Sequence, residues 1–460
     1  MPEFHAEPYI YLPAISHKSV LVAWGAFYFR VNSSGEMKLV DDSDLKHVHP
    51  PRRDTIGARS APYGPARVEV FDASGAGVAV SRTEGTNHCW VTGLQPDTEY
   101  SYRVVVKDEE WAEGVRWDWS PAKKALVKAG RYDNRFRTNP EPDTATASLT
   151  FAVIGDFGVG TRKESQDRRQ QQVANALKAA LDQHDLRFVL TTGDNIYAGK
   201  KFLGIPVGDT GNEDDDWFFT YFQPYRYVIN RVCVYPSIGN HDAGESEDND
   251  DREQVEDNFY VRERMAADAA AGRASHGPGM FYRFRYGSNI EFVCLDTSKE
   301  NLFVERLFEH PNHQEFVETS FPPANTPAWR IPFCHHPPFS AGPRHHNTKS
   351  MEKLIPLFQR AGVRALFSGH EHNFQHSIVD AIHYFVSGAA GKFRNEVPDQ
   401  FDKAHTRSWS SSCHFLLVRI DGDTMVVRAV GELGSTATLT DIPRFVPGGA
   451  TISEPMVIQL

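Results

Sequence analysis

Five short apolar runs in the C-terminal two-thirds of this 460-residue chain each end in a motif of metal-ligating residue types. In order the motifs are GDFG (Gly155 to Gly158), GDNIY (Gly193 to Tyr197), GNHD (Gly239 to Asp242), CHHPP (Cys334 to Pro338) and GHEH (Gly369 to His372). The runs before them are LTFAVI, RFVLTT, RVCVYPSI, WRIPF and VRALFS. Rich in Val, Ile, Leu and Phe and too short for typical helices, they read as strands. In an α/β sheet, ligands bind beyond the carboxyl ends of the strands. A chain that ends five strands this way is therefore expected to be α/β from residue 149 onward, with one convergent site.

The intervening sequence fits that expectation. DRRQQQVANALKAALDQH (Asp167 to His184) carries Val173, Leu177 and Leu181 on one helical face. MEKLIPLFQRAG (Met351 to Gly362) reads as a helix that Pro356 kinks or limits at its start. FYRFRYG and NIEFVCLD form a strand pair, and HFLLVRI and TMVVRAVGE add two strands near the end. Two inserts break the pattern. GESEDNDDREQVEDN (Gly244 to Asn258) is acidic and reads as a solvated loop, while MAADAAAGRASHGPG (Met265 to Gly279) is Ala/Gly-rich and reads as mobile.

Residues 1–140 read as all-β. Ser19 to Val31, Ala66 to Asp72, His88 to Leu94 and Glu99 to Lys107 are strand-like runs separated by Gly, Pro, Asp and Ser. Asp41 to Asp54 and the Trp-rich stretch Trp111 to Trp119 read as loops. The stretch VTGLQPDTEYSYRVVV resembles the end of a fibronectin type III module, with a Leu-x-Pro-x-Thr turn before a corner tyrosine, and Trp24 fits the core tryptophan of such sandwiches. PEPDTATAS (Pro140 to Ser148) reads as a linker to a second domain over 149–460.

Two hard or borderline cations need several oxygen and nitrogen ligands, with one carboxylate able to bridge them. The motifs offer Asp156, Asp194, Tyr197, Asn240, His335, His370 and His372. Asn240 contributes a neutral oxygen, which avoids piling negative charge where an anion must bind.

The order D-x-G, GD-x-x-Y, GNH-D/E, H-x-P, GHxH resembles the calcineurin-like metallophosphoesterases, and the tyrosine narrows the resemblance to the purple acid phosphatases. It covers about residues 149 to 440. It implies an α/β, metallophosphoesterase-type β-sandwich flanked by helices, here preceded by the all-β fibronectin type III-like domain. It further implies Fe(III) held by Asp156, Tyr197 and His372. A second ion, Fe(II), Zn or Mn, would take Asn240, His335 and His370, with Asp194 bridging. The family ligand lies two residues before the proline, which selects His335 over His336. Substrate-contacting histidines are expected at His241 and His345, with His346 adjacent to the latter. The implied reaction is in-line attack of hydroxide on a phosphomonoester, the ions having lowered the pKa of water. A phosphodiesterase or nucleotide pyrophosphatase on the same metals is the alternative, and a non-catalytic binding protein with structural metals a third.

The formal charge of −11 argues against a nucleic-acid partner and leaves a small phosphoester as the expected one. No apolar stretch is long enough to span a membrane, and the N-terminal residues lack signal-peptide character. Five cysteines cannot all pair, and Cys233, Cys294 and Cys334 sit inside apolar runs as expected buried thiols. These features favour a cytoplasmic location, with secretion after removal of a leader as the alternative.

Overall fold

The computed structural model describes residues 3–40, 64–197, 201–202, 205–206, 217–242, 250–270, 280–298, 311–323, 328–433 and 437–460. The insert Asp41 to Asp54 lies outside the described residues, as do 244–249 of the acidic insert and 271–279 of the Ala/Gly-rich one. The chain divides into two compact units. One comprises Met1–Glu141, Thr161–Asp167 and Asp216–Val234, and the other comprises the remainder.

In the first unit every described strand pairing is antiparallel. Glu3–Ile15, Ser19–Val31 and Met37–Leu39 lie in order, and His88–Thr92 adds to Ser19–Val31. A second sheet runs Arg135–Arg137, Glu99–Val106, Ala66–Phe71, Gly77–Thr83. Two features depart from the sequence reading. Glu3–Ile15 is a 13-residue strand, although Pro8, Pro13 and Glu7 spoil its alternation. The Trp-rich stretch contributes the strand Trp117–Ser120, paired with Ala125–Lys128. Aromatic packing rather than alternation holds it, since Trp119 meets Phe29 and Phe219.

The segment 216–234 supplies part of this unit's core. Phe222 packs on Tyr9 and Tyr11, and Phe218 on Phe27 and Phe29, at ring separations of 4.5–5.2 Å. Tyr102 Oη donates to the Asn230 carbonyl at 2.7 Å.

Among the described residues the second unit holds two large sheets and the short pair Lys201–Phe202/Ile205–Pro206. The first runs Cys233–Tyr235, Leu186–Thr191, Ser148–Ile154, Phe415–Asp421, Thr424–Leu433, Leu439–Asp441, with Met456–Gln459 also on Thr424–Leu433. The second starts Tyr282–Tyr286, Ile290–Cys294, Trp329–Phe333, Ala365–Ser368, Ile382–Ser387 and continues through Phe374–Val379 and Thr406–Ser410. The strands that precede Asp156 and Asp194 are parallel neighbours, as are those that precede His335 and His370. The sheets meet through Phe151 and Phe188, whose rings stand edge-on to Phe292 at 5.1 and 5.2 Å. Parallel strands buried on both faces need the near-continuous apolar runs seen in the sequence.

Helices accompany these sheets. Glu164–Gln183 buries Val173, Leu177 and Leu181. Met351 to Gly362 forms two short helices, Lys349–Glu352 and Ile355–Arg360, and Pro356 occupies the first turn of the second, where its missing N–H costs nothing. The described part of the acidic insert is helical, Asp250–Asn258, with Val255 buried and Arg252 paired to Asp296 and Glu256. Val261–Ala270 is also helical and includes the start of the Ala/Gly-rich stretch. All five cysteines are free thiols, four of them buried. No helix among the described residues is long and apolar enough to cross a membrane.

Candidate metal centre

Four of the five motifs begin one or two residues past a strand end, GNHD follows Cys233–Tyr235 by three residues, and three of the motifs place a non-glycine residue in the left-handed region. Asp156, Asp194 and His370 have φ of 54°, 51° and 71°. Such conformations cost on the order of 1–3 kcal/mol each and persist where the surroundings enforce them. Here the enforcing contacts run between motifs. The His370 N–H donates to Asp156 Oδ2 at 3.0 Å, and the His241 N–H donates to Asp194 Oδ1 at 3.1 Å. Gly239 is required by close approach, because a Cβ there would collide with the Asp194 carboxylate.

All seven residues expected to ligate metal converge, and all are buried. They form two groups. Asp156 Oδ1, Tyr197 Oη and His372 Nε2 lie 3.2–3.4 Å from one another. His335 Nε2 lies 3.0 Å from Asn240 Oδ1 and 3.1 Å from His370 Nδ1. Asp194 touches both groups. Its Oδ1 is 3.5 Å from His335 Nε2, and its carboxylate hydrogen-bonds Tyr197. His335 Nδ1 faces the Thr192 carbonyl at 2.7 Å, so that nitrogen carries the proton and Nε2 presents its lone pair.

The electrostatics of this donor set call for a cation. Burial, and then the Asp194 carboxylate, push Asp156 well above the ordinary range. Burial and the two carboxylates push the Tyr197 phenol up as well. Burial and neighbouring imidazoles push His370 well below its ordinary value, while burial, Arg394 and Lys392 lower His372. Despite burial, His335 and His241 hold Asp194 below its ordinary range. Two buried carboxylates and a phenol crowded against imidazoles with inward lone pairs fit a pair of metal ions. His335 with His336 and His370, and Asp156 with Asp194 and His335, form clusters able to hold an ion.

The two expected substrate histidines also reach this place. The His241 ring packs on Tyr197 at 4.5 Å, and the His345 ring on His370 at 3.8 Å. His346 points elsewhere, exposed and 3.8 Å from Asp399. Glu371 makes that choice, since its Oε2 accepts the N–H groups of Arg344 and His345 at 3.1 and 2.7 Å. Arg394 Nη2 donates to His345 Nε2 at 3.2 Å. Burial and that guanidinium lower the His345 pKa to about 4.

Several contributors lay beyond the sequence reading. Asp242 accepts from the Gly239 N–H and Asn195 Nδ2, both at 2.8 Å, and from the Ile196 N–H at 3.0 Å. It thereby welds GNHD to GDNIY. Both residues sit inside the motifs, so their type was legible and their mutual partnership was not. Glu371, between the two histidines of GHEH, carried the same partial signal. Lys392 Nζ lies 4.8 Å from the Tyr197 ring centroid, and Lys392 and Arg394 donate their N–H groups to the Asp156 and His372 carbonyls. No motif marked them.

Comparison with known proteins agrees with this geometry. Residues 149–374 match the calcineurin-like phosphoesterase family model. The chain is 27% identical over 272 residues to purple acid phosphatase 3 of Arabidopsis thaliana, covering 55% of this chain and 66% of that protein. It is 24% identical over 337 residues to tartrate-resistant acid phosphatase type 5 of Oryctolagus cuniculus, covering 66% and 94%. Its fold is similar to that of the solved structure of PhoD, with a TM-score of 0.60 at 14% identity over 98% of this chain and 94% of that one. Residues 149–374 thus form a calcineurin-like metallophosphoesterase domain, with the buried His/Asp clusters of the dimetal site typical of such domains, and the chain is distantly homologous to the purple acid phosphatases.

Proposed function

We propose that the protein is a binuclear-metal phosphatase acting on phosphomonoesters in the manner of purple acid phosphatases. The observation that carries this reading is the pair of donor groups, one containing a tyrosine, with Asp194 touching both. Asp156, Tyr197 and His372 would hold Fe(III). Asn240, His335 and His370 would hold Fe(II), Zn or Mn. Two ions there would supply Lewis acidity toward phosphoryl oxygens and hydroxide near neutral pH. His335 and Asp194 are oriented before any ion arrives, the first by the Thr192 carbonyl and the second by the His241 N–H.

The histidines divide the remaining work. Arginine has no acceptor, so Arg394 fixes His345 Nε2 as the accepting nitrogen and leaves the proton on Nδ1. His345 is then a neutral donor toward a phosphate oxygen. His241 is left as the group able to give the leaving oxygen a proton. In the N-terminal unit, the fully buried Trp24 and the Gln95 N–H donating to Tyr100 Oη at 2.9 Å support a fibronectin type III-like sandwich.

The deciding experiment compares hydrolysis of a chromogenic phosphomonoester with that of its matched diester on one metal-loaded preparation, from acidic to alkaline pH. A monoester preference is expected, and a diester preference would make the protein a phosphodiesterase on the same site. Tyr197→Phe tests the ferric assignment separately. The iron-loaded variant is expected to fold but to lose the visible absorption band of a tyrosinate. A band that survives the substitution refutes ligation by Tyr197.

A further inference from the structure

His336, the second histidine of CHHPP, is given no role in the proposed function, yet its surroundings mark it out. The side chain is buried at 2% exposure. Its Nδ1 lies 3.1 Å from Thr297 Oγ1, which also accepts the His336 backbone N–H at 3.0 Å. Its Nε2 is buried and meets no hydrogen-bond partner among the described residues. The ring packs on His370 at 4.2 Å and stands edge-on to His335 at 4.9 Å. One ligand atom each from His335, His336 and His370 falls within 4.8 Å of the others.

Buried ring nitrogens are seldom left without a partner. The exceptions need an occupant, and the neighbourhood says which kind. His335 has one nitrogen held by the Thr192 carbonyl and the other turned to Asn240 Oδ1, the arrangement that orients a ligating imidazole. His336 repeats it, with Thr297 in place of the carbonyl and Nε2 left over. Thr297 is itself buried and anchored by two contacts to one residue, so the imidazole is held in place rather than loosely packed.

We propose that His336 is an additional metal ligand, through Nε2, at the Asn240–His335–His370 end of the site. This inference rests on the two-ion reading and adds to it. That end then presents three imidazoles and an amide oxygen besides the shared Asp194. Imidazole-rich surroundings suit zinc, whereas manganese is better served by carboxylate, carbonyl and water oxygens. The extra imidazole therefore selects the ion as well as holding it.

The test is zinc binding by the full chain, followed by competition with a chromogenic chelator, for the wild type, His336→Ala and His336→Gln. The wild type is expected to bind two zinc ions. In the variants the affinity for one ion falls on the order of 10- to 100-fold while the other is unchanged. Unchanged affinity for both ions in a variant whose circular dichroism matches the wild type overturns the inference. Should both variants misfold, a crystal structure of the zinc-loaded wild type decides it. An anomalous peak about 2.0–2.1 Å from His336 Nε2 supports ligation, and a peak out of reach of that nitrogen overturns it. A wild type that binds fewer than two ions overturns the two-ion reading itself, and this inference with it.

Discussion

Asp194→Asn is expected to lower turnover of a phosphomonoester on the order of 10³- to 10⁴-fold while leaving the chain folded. The side chain is 1% exposed and in contact with both donor groups, through His335 Nε2 at 3.5 Å and through Tyr197. Asparagine keeps the volume, tolerates the left-handed φ of 51°, and can still accept the His241 N–H. What it removes is the charge that two adjacent cations would share. The same substitution relieves the repulsion that helps push Asp156 upward. That gain opposes the loss of the His335 and His241 attraction that, despite burial, holds Asp194 below its ordinary range. Metal-free Asp194→Asn should therefore melt close to the metal-free wild type, and it should retain at most one tightly bound ion. Full activity in this variant would remove the binuclear assignment. A collapse of the metal-free melting temperature would instead make Asp194 a folding residue.

Glu7→Gln is expected to destabilise the protein by about 3–5 kcal/mol, the usual cost of stripping one partner from a buried ion pair. Glu7 is 1% exposed, and its Oε1 accepts from Arg226 Nη1 at 2.7 Å and from the Trp117 N–H at 3.0 Å. Arg116 Nη1 lies 3.8 Å from the same oxygen. Both guanidinium groups are buried, and Asp118, 3.4 Å from Arg226 Nε, would be the acid left to balance them. Glutamine preserves shape and one acceptor, so charge is the variable. Denaturant unfolding followed by tryptophan fluorescence measures the loss. Adding Arg226→Met to Glu7→Gln should recover part of it, because removing both charges leaves less to desolvate. A single-variant loss below about 1 kcal/mol would show that the cluster is hydrated and does not behave as a buried pair.

How much of this was legible in the sequence depended on how local each signal was. The donor residues were readable because each follows an apolar run that can only be a buried strand, which places them together without knowledge of any loop. His345 over His346 was not readable, because the choice rests on the Glu371 carboxylate catching the His345 N–H from 26 residues away. Asp242 and Asn195 were visible as letters of motifs, but their bond joins residues 47 apart. The strand Glu3–Ile15 was hidden for a different reason. Its prolines and Glu7 contradict a buried strand until Arg226, far along the chain, supplies the compensating charge. Trp117–Ser120 lacked alternation because its rings pack sideways onto Phe29 and Phe219.

That dependence on residues 216–234 has a consequence for how the protein is made and how it could have arisen. During synthesis the N-terminal strands emerge first, yet Phe218, Phe222 and Arg226 are supplied only after the Asp194 strand has been translated. Until then Tyr9, Tyr11, Phe27 and Phe29 lack the rings that cover them, and nascent chains with such surface bare are candidates for chaperone capture. A gene cut after residue 140 would yield that sticky intermediate permanently. The β-unit is therefore not a portable cassette: recombination at a single junction cannot transfer it intact, because residues 216–234, part of its interior, are encoded between stretches that belong to the other unit.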